Sequence, residues 1–208
     1  MATPADLTVS EIYRDLVKEV IIRAFSINTI TGAQVGLHPL LIREYCFLQL
    51  RMMCELIALG CLLCHGDIEA TKARKLQKAY VPADILGRLG ALHPDFYPVP
   101  VTPMQTPEGW HMADFDQDYL KKEDLIALWS RSGDHLHKGN IRRFISIDHA
   151  PPLRLDDIQS PAQNILNLLS NHRISRLGGK FHFLIKTNEE ASADEKRITV
   201  TVAIAESG

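Results

Sequence analysis

The sequence predicts a mainly α-helical fold with a β-hairpin near its C-terminal end. Two observations carry this prediction: apolar residues recur at helical spacing in several long segments, and two short runs near the end alternate apolar and polar residues. Of the 208 residues, 46% are hydrophobic and 23% are charged, which excludes a disordered or collagen-like chain. The net charge of −2 excludes a protein that binds nucleic acid through overall basic charge.

Two long helices are predicted in the first third of the chain. The first spans residues 7–26 and begins with a capping-box pattern at Thr8 and Glu11. The second spans residues 39–65, with Pro39 in its first turn and Gly66 just past its end. In this second helix an apolar set returns to one face: Leu41, Tyr45, Leu48, Met52, Leu56 and Leu59.

Shorter elements are predicted in the middle of the chain. Residues 68–80 have the pattern of a basic helix with a solvated face, and residues 82–92 that of a short helix that begins at Pro82. Residues 93–113 contain five prolines, so a long loop is predicted there.

The last part of the chain predicts two helices and the hairpin. One helix spans residues 121–138 and stops at Gly139-Asn140, and the other starts at Ser160-Pro161 and spans residues 161–174. The alternating runs 180–187 and 197–205 predict the two strands of the hairpin. We therefore divide the chain into a helical part, 1–158, and a helix-plus-hairpin part, 159–208, which we expect to form one continuous globular unit.

The cysteines indicate the compartment. All four lie in the apolar 39–65 helix (Cys46, Cys54, Cys61 and Cys64), whose charged residues argue against a membrane span. Residues 1–7 show no export signal, so we expect a cytoplasmic protein with reduced thiols. The Cys61-x-x-Cys64-His65 pattern matches a haem attachment site literally and offers three zinc ligands. Without an export signal or a second Cys/His pair, we interpret these cysteines as core residues and predict neither a metal nor a cofactor.

A cluster of ionisable residues at the end of the 121–138 helix is the strongest candidate site. It contains Arg131, Asp134, His135, His137 and Lys138. From Arg131 to Arg143 four basic residues oppose one acidic residue, a local charge of +3 in a chain of net charge −2. Such a basic patch is suited to phosphate binding.

Helix geometry limits how this cluster can act. His135 follows Arg131 by four residues and shares its face, whereas His137 follows by six and is turned away by roughly 120°. Arg131 and His137 therefore converge only if the helix distorts near Gly133 or if a second copy of the chain supplies one of them. A protonated histidine at a helix C-terminus is favoured by the helix dipole and could donate a proton.

The stretch Arg131-Ser-Gly-Asp-His-Leu-His137, followed by Lys-Gly-Asn140, resembles the motif of the HEPN superfamily of helical domains, and the long helix before it fits a HEPN-like bundle. The resemblance implies a homodimer that binds RNA or cleaves it without a metal, in a defence or toxin role. It makes His137 a general acid or base and Arg131 the group that stabilises the phosphorane charge, with His135, Asp134 and Lys138 in support. Ser132 departs from the polar Asn, Asp or His that often follows the arginine in active members.

Substrate contacts and alternative functions complete the predictions. We expect Arg142 and Arg143 to bind the RNA backbone and Trp110 to stack on a base. The alternative is a non-catalytic module of the same fold that dimerises or recruits a protein partner. A third interpretation is a small-molecule or nucleotide-binding bundle, which would place a pocket along the 39–65 helix and away from Arg131.

Overall fold

The fold is mainly α-helical with a minor antiparallel sheet, which confirms the predicted class. The computed structural model describes residues 4–32, 36–66, 68–72, 74–107, 109–136, 154–176, 179–187 and 198–205. Its helices are α1 (Pro4–Gly32), α2 (Pro39–Cys64), α3 (Arg74–Gln77), α4 (Pro82–Leu92), α5 (Lys122–Leu136) and α6 (Asp156–Leu169), with a 3₁₀ turn at Glu69–Lys72. Its strands are β1 (Val99–Thr106), β2 (Gly109–Asp114), β3 (Asn171–Arg176), β4 (Gly179–Thr187) and β5 (Ile198–Ala205).

The strands form one sheet in the order β2-β1-β3-β4-β5. The predicted C-terminal hairpin is confirmed as β4 and β5, which pair from Lys180 opposite Ala205 to Thr187 opposite Ile198. β1 pairs with β2 along most of its length but with β3 only at Val99 and Pro100. The outer part of the β1–β2 hairpin therefore extends beyond its pairing with β3.

Helix α2 lies at the centre of the main core. Its buried side chains, including Phe47, Leu50 and Met53, share one apolar cluster with residues of α1, α4, α5 and α6. α6 belongs to this cluster through Ile158 and Ile165, among others, so it is built into the same core as the earlier helices. By length and composition α2 also resembles a membrane-spanning segment, but 67% of its most apolar window is buried inside the fold, as in a core helix.

The boundaries of α2 and α4 agree with the sequence, whereas α1 is longer than predicted. The helix already includes Pro4, so the expected start at a Thr8 cap is wrong. It continues to Gly32 because Ile27 extends the buried face that Val20 and Ala24 begin.

The predicted basic helix over 68–80 is also wrong, because this segment forms the 3₁₀ turn and the four-residue α3. The buried Thr71 hydroxyl donates to the carbonyls of His65 and Ile68 at 3.1 and 2.7 Å. Such side-chain bonds to nearby backbone compete with a continuous helix.

The predicted loop over 93–113 contains strands β1 and β2. Pro100 and Pro103 both lie within β1, although proline is uncommon in strands. A proline is tolerated in a strand where its missing N–H is not needed for pairing, and most of β1 pairs on one side only, with β2.

The helix predicted over 161–174 begins and ends earlier. The amides of Ile158 and Gln159 already donate to the Leu155 carbonyl, so Pro161 lies inside the helix and does not start it. Residues 171–174, predicted as helix, belong to β3, where His172 and Ile174 are both fully buried in the alternation of a strand.

Candidate nucleic-acid interface

Helix α5 presents the predicted cluster at its C-terminal end. Leu125, Leu128 and Ser132 are buried against the core, which fixes the orientation of the helix. Arg131 and Asp134 consequently lie on the opposite, exposed side. Arg131 is exposed and makes no salt bridge with any residue that the structure describes.

His135 is half-buried and held by α2. Its ring stacks on Phe47 with centroids 3.9 Å apart and an interplanar angle of 22°. Its Nδ1 lies 3.4 Å from an Nη of Arg43, whose guanidinium also lies 5.7 Å from the Phe47 ring centroid. Arginine only donates, so Arg43 is the donor in this contact. The contact joins the end of α5 to α2.

A second group of α2 side chains contacts the middle of α5. The Arg51 guanidinium lies 4.0 Å from the Trp129 ring centroid and donates to the Trp129 carbonyl at 3.4 Å. Glu55 accepts from the Trp129 indole N–H at 2.8 Å and pairs with Arg51 at 3.4 Å. A Cβ at Gly133 would lie 2.5 Å from the Arg51 Nη1, so this glycine lets the arginine fit against the helix.

Helix α5 follows a regular course where these α2 side chains contact it. The helix is continuous through Gly133 to Leu136, so the local distortion that would let one chain bring Arg131 and His137 together is absent at Gly133.

The buried Ser132 hydroxyl has no hydrogen-bond partner among the described residues.

The structure brings some of the predicted site residues together and separates others. Arg131, Asp134 and His135 lie in the last two turns of α5, and His135 contacts Arg43 of α2. Trp110 lies on a different element, β2, opposite Gln105, with 62% of its surface exposed. It is therefore not the buried loop anchor that a tryptophan in this segment could have been. The remaining predicted site residues lie outside the described ones: His137, Lys138, Arg142 and Arg143.

Sequence reasoning missed the contribution of α2 to this surface. Arg43, Phe47, Arg51 and Glu55 are spaced by four residues and so form one stripe on the helix, which faces α5. The spacing was visible in the sequence, but nothing in the sequence showed that this stripe meets α5.

The Cys61-x-x-Cys64-His65 pattern at the end of α2 does not form a metal-ligand set. No group of three or more His, Cys, Asp or Glu side chains within the described ranges is placed to hold a metal ion. His65 is fully buried, and its Nδ1 and Nε2 lie 2.7 Å from the Cys61 carbonyl and 2.9 Å from the Ser175 carbonyl. Burial raises the pKa of the Cys61 thiol well above its usual value, which disfavours the thiolate that binds metals.

A second buried histidine joins α1 to the sheet. The Tyr13 hydroxyl and His172 Nε2 are hydrogen-bonded at 2.6 Å. Burial lowers the pKa of His172 from 6.5 to about 3, against a smaller opposing effect of a backbone hydrogen bond with Leu169. His172 is therefore neutral in the folded protein at neutral pH.

A cavity of about 350 Å³ lies elsewhere, between α1 and α6. It is lined by Asn28, Gln159, Ser160, Ala162, Gln163 and Leu166. None of these residues belongs to α2, so this cavity is not the pocket that the small-molecule interpretation required.

Comparison with known proteins adds no relative: no protein-family model, curated protein or solved structure matches the chain.

Proposed function

We propose that the protein is a cytoplasmic, HEPN-like RNA-binding protein that cleaves RNA without a metal, as a homodimer, in a defence or toxin role. The observation that carries the proposal is the exposed Arg131 side chain near the C-terminal end of α5, one turn before His135, which contacts Arg43 of α2. An exposed guanidinium is suited to binding the phosphate of a phosphodiester.

The chemistry follows from the properties of the two principal groups. In the proposed reaction the ribose 2′-oxygen bonds to phosphorus, its proton leaves to a base, and the bond to the 5′-oxygen breaks as that oxygen takes up a proton. His137 acts as the base on the 2′-OH or as the acid on the leaving oxygen, a role that suits imidazole because it can both accept and donate a proton. Arg131 binds the phosphate and stabilises the negative charge of the phosphorane.

The course of α5 supports a site shared between two copies. A regular helix turns a residue six positions after Arg131 away by roughly 120°, and α5 is regular through Leu136. We therefore propose that Arg131 of one copy acts with His137 of the other.

The direct test is incubation of purified protein with mixed RNA in EDTA. We expect cleavage that leaves 2′,3′-cyclic phosphate ends, and a loss of about 100-fold or more in Arg131→Ala and in His137→Ala. Arg88→Ala is the matched control, because Arg88 is an exposed arginine on a different helix, α4, and its loss should change nothing. Equal behaviour of the wild type and all three variants would exclude the nuclease.

Mixing the two inactive variants tests the shared site. If Arg131 and His137 come from different copies, half of the dimers carry one intact site of two, so about a quarter of the wild-type activity should return. If the two residues act within one chain, the mixture stays inactive.

The alternative function is a non-catalytic dimerisation or protein-interaction module. The observation that favours it is the amount of exposed apolar surface on α2, where Leu41, Leu48 and Leu59 are 50%, 42% and 37% exposed. The RNA assay separates the two, because an interaction module remains inactive in every variant.

A further inference from the structure

Within the part of the chain that the structure describes, one face of the central helix α2 is less covered than its other faces. The open face carries six residues separated by four and three positions in alternation: Leu41, Tyr45, Leu48, Met52, Glu55 and Leu59. Each of the six is exposed or partly exposed, whereas the residues between them include most of the buried residues of α2. We call these six residues the α2 seam.

The spacing of the α2 seam is that of a coiled-coil interface. Alternating steps of four and three average 3.5 residues, the repeat that keeps a row of side chains facing a partner helix along its length. Ordinary solvent-facing positions of a soluble helix are polar. Tyr45 packs partly against the main core, but Leu41, Leu48 and Leu59 are exposed. Exposed leucines at this spacing therefore indicate a helical partner.

We infer that the partner is the α2 seam of a second copy, packed antiparallel about a two-fold axis near Leu50. This pairing opposes Leu41 to Leu59, Leu48 to Met52, and Tyr45 to Glu55. The apolar residues then meet apolar residues, and a tyrosine hydroxyl meets the one carboxylate of the seam. A surface that complements itself in this way is what a two-fold dimer requires.

The position of the α2 seam connects it to the candidate site. Glu55 belongs to the seam and also accepts from Trp129 of α5, so the interface adjoins the helix that carries Arg131. Pairing along α2 would thus assemble two α5 helices in one dimer. This consequence rests on the proposed function, whereas the interface itself rests only on α2.

Substitution at the centre of the seam tests the interface. Leu48 is 42% exposed, so Leu48→Lys should fold, as circular dichroism would show. It places two charged groups in the core of the dimer, and we expect the dimer dissociation constant to rise by about 100-fold or more in analytical ultracentrifugation. Ile22→Lys is the matched control, because Ile22 is an even more exposed apolar residue on α1, outside the seam.

Cross-linking tests the antiparallel register. Positions 41 and 59 are about 27 Å apart along one helix, so they cannot form a disulfide within a chain. Under mild oxidation the double variant Leu41→Cys/Leu59→Cys should give a covalent dimer, while Leu41→Cys alone should not. The native cysteines are all buried and provide a low background.

The outcomes distinguish this inference from the proposed function. A wild-type monomer at all concentrations, or a dimer that Leu48→Lys leaves intact, overturns the interface even if the protein cleaves RNA. Cross-linking of the single Leu41→Cys variant as efficiently as the double one would overturn the antiparallel arrangement. A dimer of the expected register without RNA cleavage supports the interface and refutes the nuclease.

Discussion

Protonation of His172 should destabilise the fold as the pH falls. Its pKa is about 3 in the folded protein and 6.5 when exposed, so between these values the unfolded chain binds a proton that the folded chain does not. The neutral, buried state therefore contributes its full stability above about pH 6.5 and loses it progressively as the pH falls toward 3. Between about pH 7.5 and about pH 5.0 this linkage amounts to about 2 kcal/mol.

The variant His172→Gln isolates this contribution, because glutamine keeps a polar partner for Tyr13 but does not titrate. Urea unfolding followed by circular dichroism at the two pH values gives the loss of stability for each protein. We expect the loss in His172→Gln to be smaller than that in the wild type by about 2 kcal/mol.

Tyr13→Phe is the matched control for the same experiment. It removes the 2.6 Å hydrogen bond and should lower stability at neutral pH by about 1–3 kcal/mol, because His172 Nε2 remains buried. It retains the titrating histidine, so its pH dependence should match that of the wild type. An equal loss of stability in His172→Gln and the wild type would refute the assignment of this acid sensitivity to His172.

Two further predictions concern how closely the helices pack. Gly60→Ala should lower stability by about 1–3 kcal/mol, because its Cβ would lie 2.9 Å from the Tyr13 ring, whereas Gly87→Ala on α4 meets nothing within 4 Å and should raise stability by about 0.5–1 kcal/mol. Thermal unfolding measures both, and the same sign for the two variants would contradict the packing argument. Trp129→Phe removes the indole donor to Glu55 and should lower the free energy of unfolding by about 1–3 kcal/mol. An unchanged urea midpoint would show that this hydrogen bond does not stabilise the packing of α5 on α2.

The elements that local sequence determines were predicted closely. α2 and α4 each begin at a proline, Pro39 and Pro82, and continue as an apolar run, so their starts are marked by backbone chemistry alone. The hairpin of β4 and β5 is likewise local, because two alternating runs lie close together in the chain.

The sheet as a whole could not be predicted in this way. β1 joins it by pairing Pro100 with His172, more than seventy positions later in the sequence. No local pattern encodes such a contact, and the two prolines of β1 made the strand resemble a loop. The polar sequence of β3 concealed its alternation, since one of its two buried residues is a histidine.

The sequence predicts the exposure of Arg131 in the candidate site but not the contacts of His135. Exposure of Arg131 follows from the amphipathic pattern of α5, which the sequence shows directly. The contacts of His135 with Phe47 and Arg43 depend on how α5 lies against α2. Tertiary packing determines that arrangement, and the spacing of residues within either helix does not.

The apolar pattern of α2 shows why a hydrophobic stripe does not by itself identify the buried side of a helix. The face that the sequence singled out, with Leu41, Leu48 and Leu59, is the more exposed one, while the core contacts come from residues such as Phe47 and Leu50. A helix that is apolar on nearly every side must be covered on nearly every side. Within the described residues the fold covers only part of α2, and three of its exposed leucines, Leu41, Leu48 and Leu59, have coiled-coil spacing. This surplus of apolar residues is the reason for our proposal of an interface between copies along α2.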